Sequence, residues 1–171
     1  MGLDFTIYKK KKNETCADAW ESDDYELAYG RKSWELVNAL VPDYRDYYES
    51  EEHLDYVYGR KDTWEDPIVT KERWDSLMKK IEPISNKLDA ILDAFDREEN
   101  APDDYPEFVF NDEHKKLIAE YEYWYNKTFY DDPTLGYYFS AGYIKEFWEA
   151  NEKVQKVFED PDMEVRASVS Y

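Results

Sequence analysis

The 171-residue chain carries 41 Asp and Glu against 22 Lys and Arg, a net charge of −19, and 18% of its residues are aromatic. Phosphate would meet a negative surface, which argues against direct nucleic-acid binding by the protein as a whole; a basic protein is the better partner, and solubility alone is the plainer reading of the charge. A lone cysteine, Cys16, excludes an intrachain disulfide and, with only two histidines, a zinc pattern, so neither metal nor cofactor is expected in what reads as one acidic domain over 1–171.

In chain order, Leu3, Phe5 and Ile7 alternate with Asp4, Thr6 and Tyr8, the period of a half-buried strand. Lys9 to Ser22 reads as a loop. Asp23 or Asp24 is placed to cap a helix over Tyr25 to Val41, closed by Pro42, with Leu27, Trp34, Val37 and Val41 on one face. Asp43 to Asp55 is acidic and Tyr-rich, a short helix or an extended loop. Leu54 to Tyr58 is a candidate strand and Gly59 its turn.

Thr70 opens the clearest helix, on which Trp74, Leu77, Met78, Ile81, Leu88, Ile91, Leu92 and Phe95 recur at helical spacing. Pro83 lacks an N–H, so a kink or two helices end to end are expected there. An acidic loop, Asn100 to Pro106, follows. Asn111 or Asp112 caps the next helix, with Leu117, Ile118, Tyr121, Trp124, Tyr125 and Phe129 inward. After a turn at Asp131 to Gly136, a last helix runs to about Phe158, with Ile144, Phe147, Trp148, Val154 and Phe158 on its face. Met163, Val165, Ala167, Val169 and Tyr171 then alternate with polar residues, the cleanest strand pattern in the chain. The expected fold is α+β and mostly helical, four to five helices on a small sheet that pairs the N- and C-terminal strands.

Met1-Gly2-Leu3-Asp4-Phe5, Tyr8-Lys9-Lys10 and Glu26-Leu27-Ala28-Tyr29-Gly30-Arg31-Lys32 together resemble the opening of uncharacterised small phage and prophage proteins. Those begin Met-Gly-Leu-Asp and carry a downstream Glu-x-Ala-Tyr-x-Arg-Lys type of motif. Gly30 stands where they usually have Trp. The resemblance covers some fifteen residues and implies a phage setting, in which small acidic proteins often inhibit host defence nucleases; it supplies no catalytic residues.

Two acidic constellations fit such a role. Asp75, Glu82, Asp89, Asp93 and Asp96 project onto one stripe of the long helix. Carboxylates four residues apart on a helix rise about 6 Å, close to the ~6–7 Å between phosphates of one DNA strand. The second joins Asp43, Asp46, Glu49, Glu51, Glu52 and Asp55, interleaved with Tyr44, Tyr47, Tyr48 and Tyr56 for stacking. Against this, charge on an outward helix face is the default state of a solvated surface.

The sharpest basic feature is a pair of echoes, Tyr29-Gly30-Arg31-Lys32 and Tyr58-Gly59-Arg60-Lys61, followed by Trp34 and Trp64. Arg forks and aromatic faces suit a nucleotide, whereas paired with neighbouring carboxylates they are surface salt bridges only. Adjacent acids at Glu51-Glu52, Asp103-Asp104 and Asp131-Asp132 lack a calcium-loop pattern, and His53 and His114 stand without a triad partner.

The expected function is therefore that of a phage-encoded, non-enzymatic inhibitor in the host cytoplasm, an anti-CRISPR or anti-restriction DNA mimic that occupies the basic nucleic-acid channel of a defence effector. Asp75, Glu82, Asp89, Asp93, Asp96, Asp46, Glu49, Glu51, Glu52, Tyr47 and Tyr48 would meet that partner. Two alternatives are an immunity protein neutralising a basic toxin, and a nucleotide-signal sponge or enzyme using Tyr29, Arg31, Lys32, Trp34, Tyr58, Arg60, Lys61 and Trp64. The cytoplasmic assignment rests on the N-terminus, whose apolar residues precede its charges, the reverse of a secretory signal, and on the lack of an apolar run long enough to span a membrane.

Overall fold

A computed structural model describes residues 4–96, 111–124 and 133–170. Three strands, β1 (Asp4–Lys11), β2 (Glu26–Arg31) and β3 (Met163–Ser170), form an antiparallel sheet in the order β2-β1-β3. β1 and β3 pair from Asp4 opposite Ser170 to Lys11 opposite Met163, as the alternation at both ends of the chain predicts. A short extension continues the sheet: Val69 N donates to Val165 O at 2.9 Å and Ala167 N donates to Pro67 O at 3.0 Å.

The helices are α1 (Cys16–Trp20), α2 (Trp34–Leu40), α3 (Tyr44–Tyr48), α4 (Glu51–Val57), α5 (Lys71–Asp96), α6 (Asp112–Tyr121), α7 (Pro133–Glu149) and α8 (Asn151–Glu159). The fold is α+β and mostly helical, with eight helices among the described residues rather than four or five. The difference comes from short breaks. Residue 150 separates α7 from α8 where one helix is expected, and Cys16–Trp20 is helical where a loop is expected. Thr15 caps α1 through a reciprocal box, its Oγ1 accepting from Asp18 N while Asp18 Oδ2 accepts from Thr15 N at 2.9 Å.

Three expectations fail for local reasons. Tyr25 to Val41 is not one helix: Glu26–Arg31 is a strand, Lys32 turns the chain at φ 55°, and only Trp34–Leu40 is helical. Asp24 caps nothing there and instead binds Lys9 Nζ at 2.7 Å. Leu54 to Tyr58 is not a strand but the end of α4, started by Ser50, whose Oγ accepts from His53 N. The third strand is β2. Lys9 to Lys11 are not loop either; they complete β1. Pro83 lies inside a single continuous α5.

Asn111 caps α6 as expected, accepting from His114 N at 2.8 Å. A 3₁₀ turn at Glu122–Trp124 follows α6, and residues 133–136 belong to α7 rather than to a turn. The opening Met1-Gly2-Leu3, the Asn100 to Pro106 loop, Asp103-Asp104, Tyr125, Phe129, Asp131-Asp132 and Tyr171 lie outside the described residues, as do the side chains of Phe95, Asp96 and Tyr121.

Both faces of the sheet are covered. Phe5, Ile7, Ala28, Val165, Ala167 and Val169 point into the main core with α2, α5, α7 and α8. There Phe147 stacks between Phe5 (5.8 Å) and Trp74 (6.0 Å). The opposite face carries Tyr8, packed with Cys16, Ala19, Tyr25 and Trp64 in a second, smaller cluster.

Candidate functional site

The smaller cluster is polar as well as aromatic, and sequence reasoning missed it. Tyr8 Oη donates to Asp66 Oδ2 at 2.8 Å, and Asp66 N donates to Cys16 Sγ at 3.3 Å. Asp66 is only 3% exposed, and burial pushes its carboxyl up to about 6 against the bonds from Tyr8 and Trp64. Burial likewise raises the Tyr8 hydroxyl and the Cys16 thiol. Arg166, from β3, reaches Asp66 O with one nitrogen and binds Glu164 Oε1 (2.6 Å) and Glu65 Oε2 (3.0 Å) with another. Lys10 is buried beside it, 2.9 Å from Glu164 and donating to Glu14 O at 2.6 Å. Glu164 is held below its usual range despite its burial by these two cations. Lys10, Arg166, Glu65 and Glu164 are ion-paired among themselves, and with the Tyr8–Asp66 bond they fasten α1 and the segment before α5 to the sheet.

The Lys run is consumed in the same way. Lys9 pairs with Asp24, Lys11 with Glu14 at 2.7 Å, and Lys12 Nζ donates to Pro161 O at 2.6 Å.

The acidic stripe on α5 lies along the seam with α7 and α8. Asp75 accepts from Gln155 Nε2 at 2.7 Å and pairs with Lys71 at 3.0 Å; those two contacts lower its carboxyl. Asp89 is ion-paired to Lys145, which Asp93 also faces, and the Asp89 bond raises the lysine. Glu82 is exposed, and the backbone of Asp96 ends the helix. At least two of the five carboxylates thus already have cations from their own chain.

The second acidic constellation differs. Asp43 lies 3.8 Å from Arg73, Glu52 3.5 Å from Lys61 and Asp55 3.0 Å from Arg60. Asp46, Glu49 and Glu51 are exposed and have no ionic partner among the described residues. Tyr47 and Tyr48 are half-buried rather than offered for stacking. Tyr47 Oη donates to Glu65 O, Tyr48 Oη accepts from Val169 N at 2.8 Å, and His53 sits against both rings, 5.2 and 4.6 Å away. Burial lowers the His53 imidazole, whose Nδ1 is buried with no hydrogen-bond partner among the described residues.

The two Tyr-Gly-Arg-Lys segments are not brought together as equivalents. Gly30 lies in a strand facing Phe147, whereas Gly59 sits in a turn at φ 69°. Trp34 packs on Tyr44 at the main core, Trp64 on Tyr56 at the smaller cluster. Arg31 faces Asp4 (3.3 Å), as Tyr29 does, its hydroxyl pushed up to about 12 by burial and that bond. Arg60 lies over the exposed Tyr58 ring while bonded to Asp55, and Lys61 reaches Glu52.

Among the described residues no group of three His, Cys, Asp or Glu is placed to hold a metal ion, and no helix is long and apolar enough to cross a membrane. Compared with known protein families, curated proteins and solved structures, the chain matches none.

Proposed function

We propose that this protein acts by binding, without turnover, as a phage-encoded inhibitor that occupies the basic nucleic-acid channel of a host defence effector. The observation that carries the reading is the exposed α3–α4 edge, where Asp46, Glu49 and Glu51 have no ion-pair partner among the described residues, in a chain of net charge −19. A carboxylate already paired gains little from a second cation, while an unpaired one attracts Lys and Arg over a Debye length. The reading therefore places the contact on α3 and α4 ahead of the α5 stripe. Encounter is steered by long-range attraction and weakens with salt.

Cleavage assays on a panel of CRISPR and restriction nucleases, with and without the protein at low and physiological salt, test this. Inhibition of at least one effector is expected, lost in Asp46→Lys/Glu49→Lys/Glu51→Lys and kept in Asp75→Asn/Asp89→Asn. Failure to inhibit any of them, or inhibition retained by the triple Lys variant, overturns the proposal.

A further inference from the structure

Next to Asp46, Glu49 and Glu51, the outer face of α4 carries exposed apolar side chains. At about 100° per residue, Leu54, Val57 and Tyr58 follow one another as i, i+3 and i+4, the spacing of helix anchors. They are 37%, 57% and 68% exposed, and α4 has no fully buried residue. His53 and Tyr56 face the other way, onto Tyr47, Tyr48 and Trp64. Glu51 lies beside the apolar strip on the same helix, as does Asp55, which Arg60 holds; Asp46 on α3 and Glu49 at its end precede it. Solubility alone explains the acids but not Leu54 and Val57 left in water beside them, next to a Tyr58 ring that Arg60 overlies.

Charge decides what covers this strip. A second copy of the chain, itself of net charge −19, would set Glu49 and Glu51 against their own like charges, and an anionic membrane or a nucleic acid would be repelled for the same reason. A neutral apolar partner would bury the strip but leave the acids unanswered.

We infer that α4 docks a cationic amphipathic helix of another protein, whose apolar side packs on Leu54, Val57 and Tyr58 while its Lys and Arg meet Asp46, Glu49 and Glu51. This rests on the reading above that the protein binds a basic partner, and it adds the partner's shape: an ordered helix with one apolar face, rather than a charged channel alone. The strip gives such a partner a register that charge by itself would not fix, because apolar contacts are short-ranged.

The experiment uses the full chain and two synthetic peptides of equal length and equal positive charge. One places Leu at helical i, i+3, i+4 spacing among Lys; the other replaces each Leu by Ser. Calorimetry at physiological salt is expected to show the Leu peptide binding at least about tenfold tighter. Leu54→Ser/Val57→Ser/Tyr58→Ser should remove that preference and keep the Ser-peptide affinity. These positions are exposed, and an unchanged melting temperature verifies the fold. Asp46→Lys/Glu49→Lys/Glu51→Lys should weaken both peptides. Equal affinity for the two peptides, or a preference that survives the Ser variant, overturns the inference while leaving the charge reading intact. Indifference of both peptides to the Lys variant overturns the charge reading itself. Self-association in sedimentation that the Ser variant abolishes would assign the strip to a second copy and overturn the inference as well.

Discussion

Tyr8 and Asp66, 58 residues apart, share a 2.8 Å hydrogen bond on the covered polar face of the sheet. It holds the segment ahead of α5 against the central strand, where Arg166 and Cys16 complete the fastening. Tyr8→Phe keeps the ring packing on Trp20 and Tyr25 but leaves the Asp66 carboxyl short of a donor. A loss of about 1–3 kcal/mol is expected, measured by urea unfolding.

Asp66 also makes stability depend on pH. Its folded-state value is raised from 3.8 to about 6, so the folded protein holds this proton more tightly than the unfolded chain. Its contribution to stability is greatest below about pH 4 and falls as pH rises towards 6, staying reduced above that. Burial acts on it first; Tyr8, Trp64 and Arg166 oppose the rise and Glu65 adds to it. Asp66→Asn, which still accepts from Tyr8, should flatten this segment of the profile and stabilise the protein at pH 7.5 by roughly 1–3 kcal/mol. Denaturant curves at pH 5 and pH 7.5 for both proteins check the sign; an Asn variant less stable at pH 7.5 contradicts it.

Gly30 faces the core from β2. A Cβ built there meets Phe147 Cε2 at 3.4 Å and Leu36 Cδ1 at 3.5 Å, ordinary contact for a methyl group. Gly30→Ala is expected to change stability by no more than about 1 kcal/mol. Gly30→Trp would displace Phe147 from its stack with Phe5 and Trp74. Loss of the near-ultraviolet circular dichroism signal on that substitution is the expected readout.

Pro83 sits on the exposed side of α5, where it removes one backbone donor from the helix. Pro83→Ala restores that donor to the Lys79 carbonyl and should raise stability by about 1 kcal/mol or more. A lowered melting temperature contradicts this.

The terminal strands and α5 were legible because their periods carry strong contrast. In β3, Val165, Ala167 and Val169 are buried while Glu164, Arg166 and Ser168 face the other way. β2 was not legible. Its inward residues are Ala28 and Gly30, too small to mark a period of two, while Leu27, Trp34, Val37 and Val41 happen to satisfy a helical one. Leu54 to Tyr58 holds residues of high strand propensity, yet the Ser50 cap and packing of His53 and Tyr56 on neighbouring rings make it a helix. The acidic residues of both constellations were found by composition, but which of them keep a free charge depends on Lys145, Gln155 and Arg73, far away in the chain. The polar cluster around Asp66 was invisible for the same reason, since it is assembled from β1, α1, the segment before α5 and β3.

The middle position in the sheet belongs to β1, and one of its neighbours is the last strand of the described chain. During synthesis, then, β1 can acquire β2 early, whereas its other side stays open until Met163–Ser170 leave the ribosome. Over that interval Phe5, Ile7 and Tyr8 lie next to a row of unsatisfied peptide groups, a template for pairing with other nascent chains. Any product cut short before Met163 would keep that open side permanently and should accumulate in the insoluble fraction.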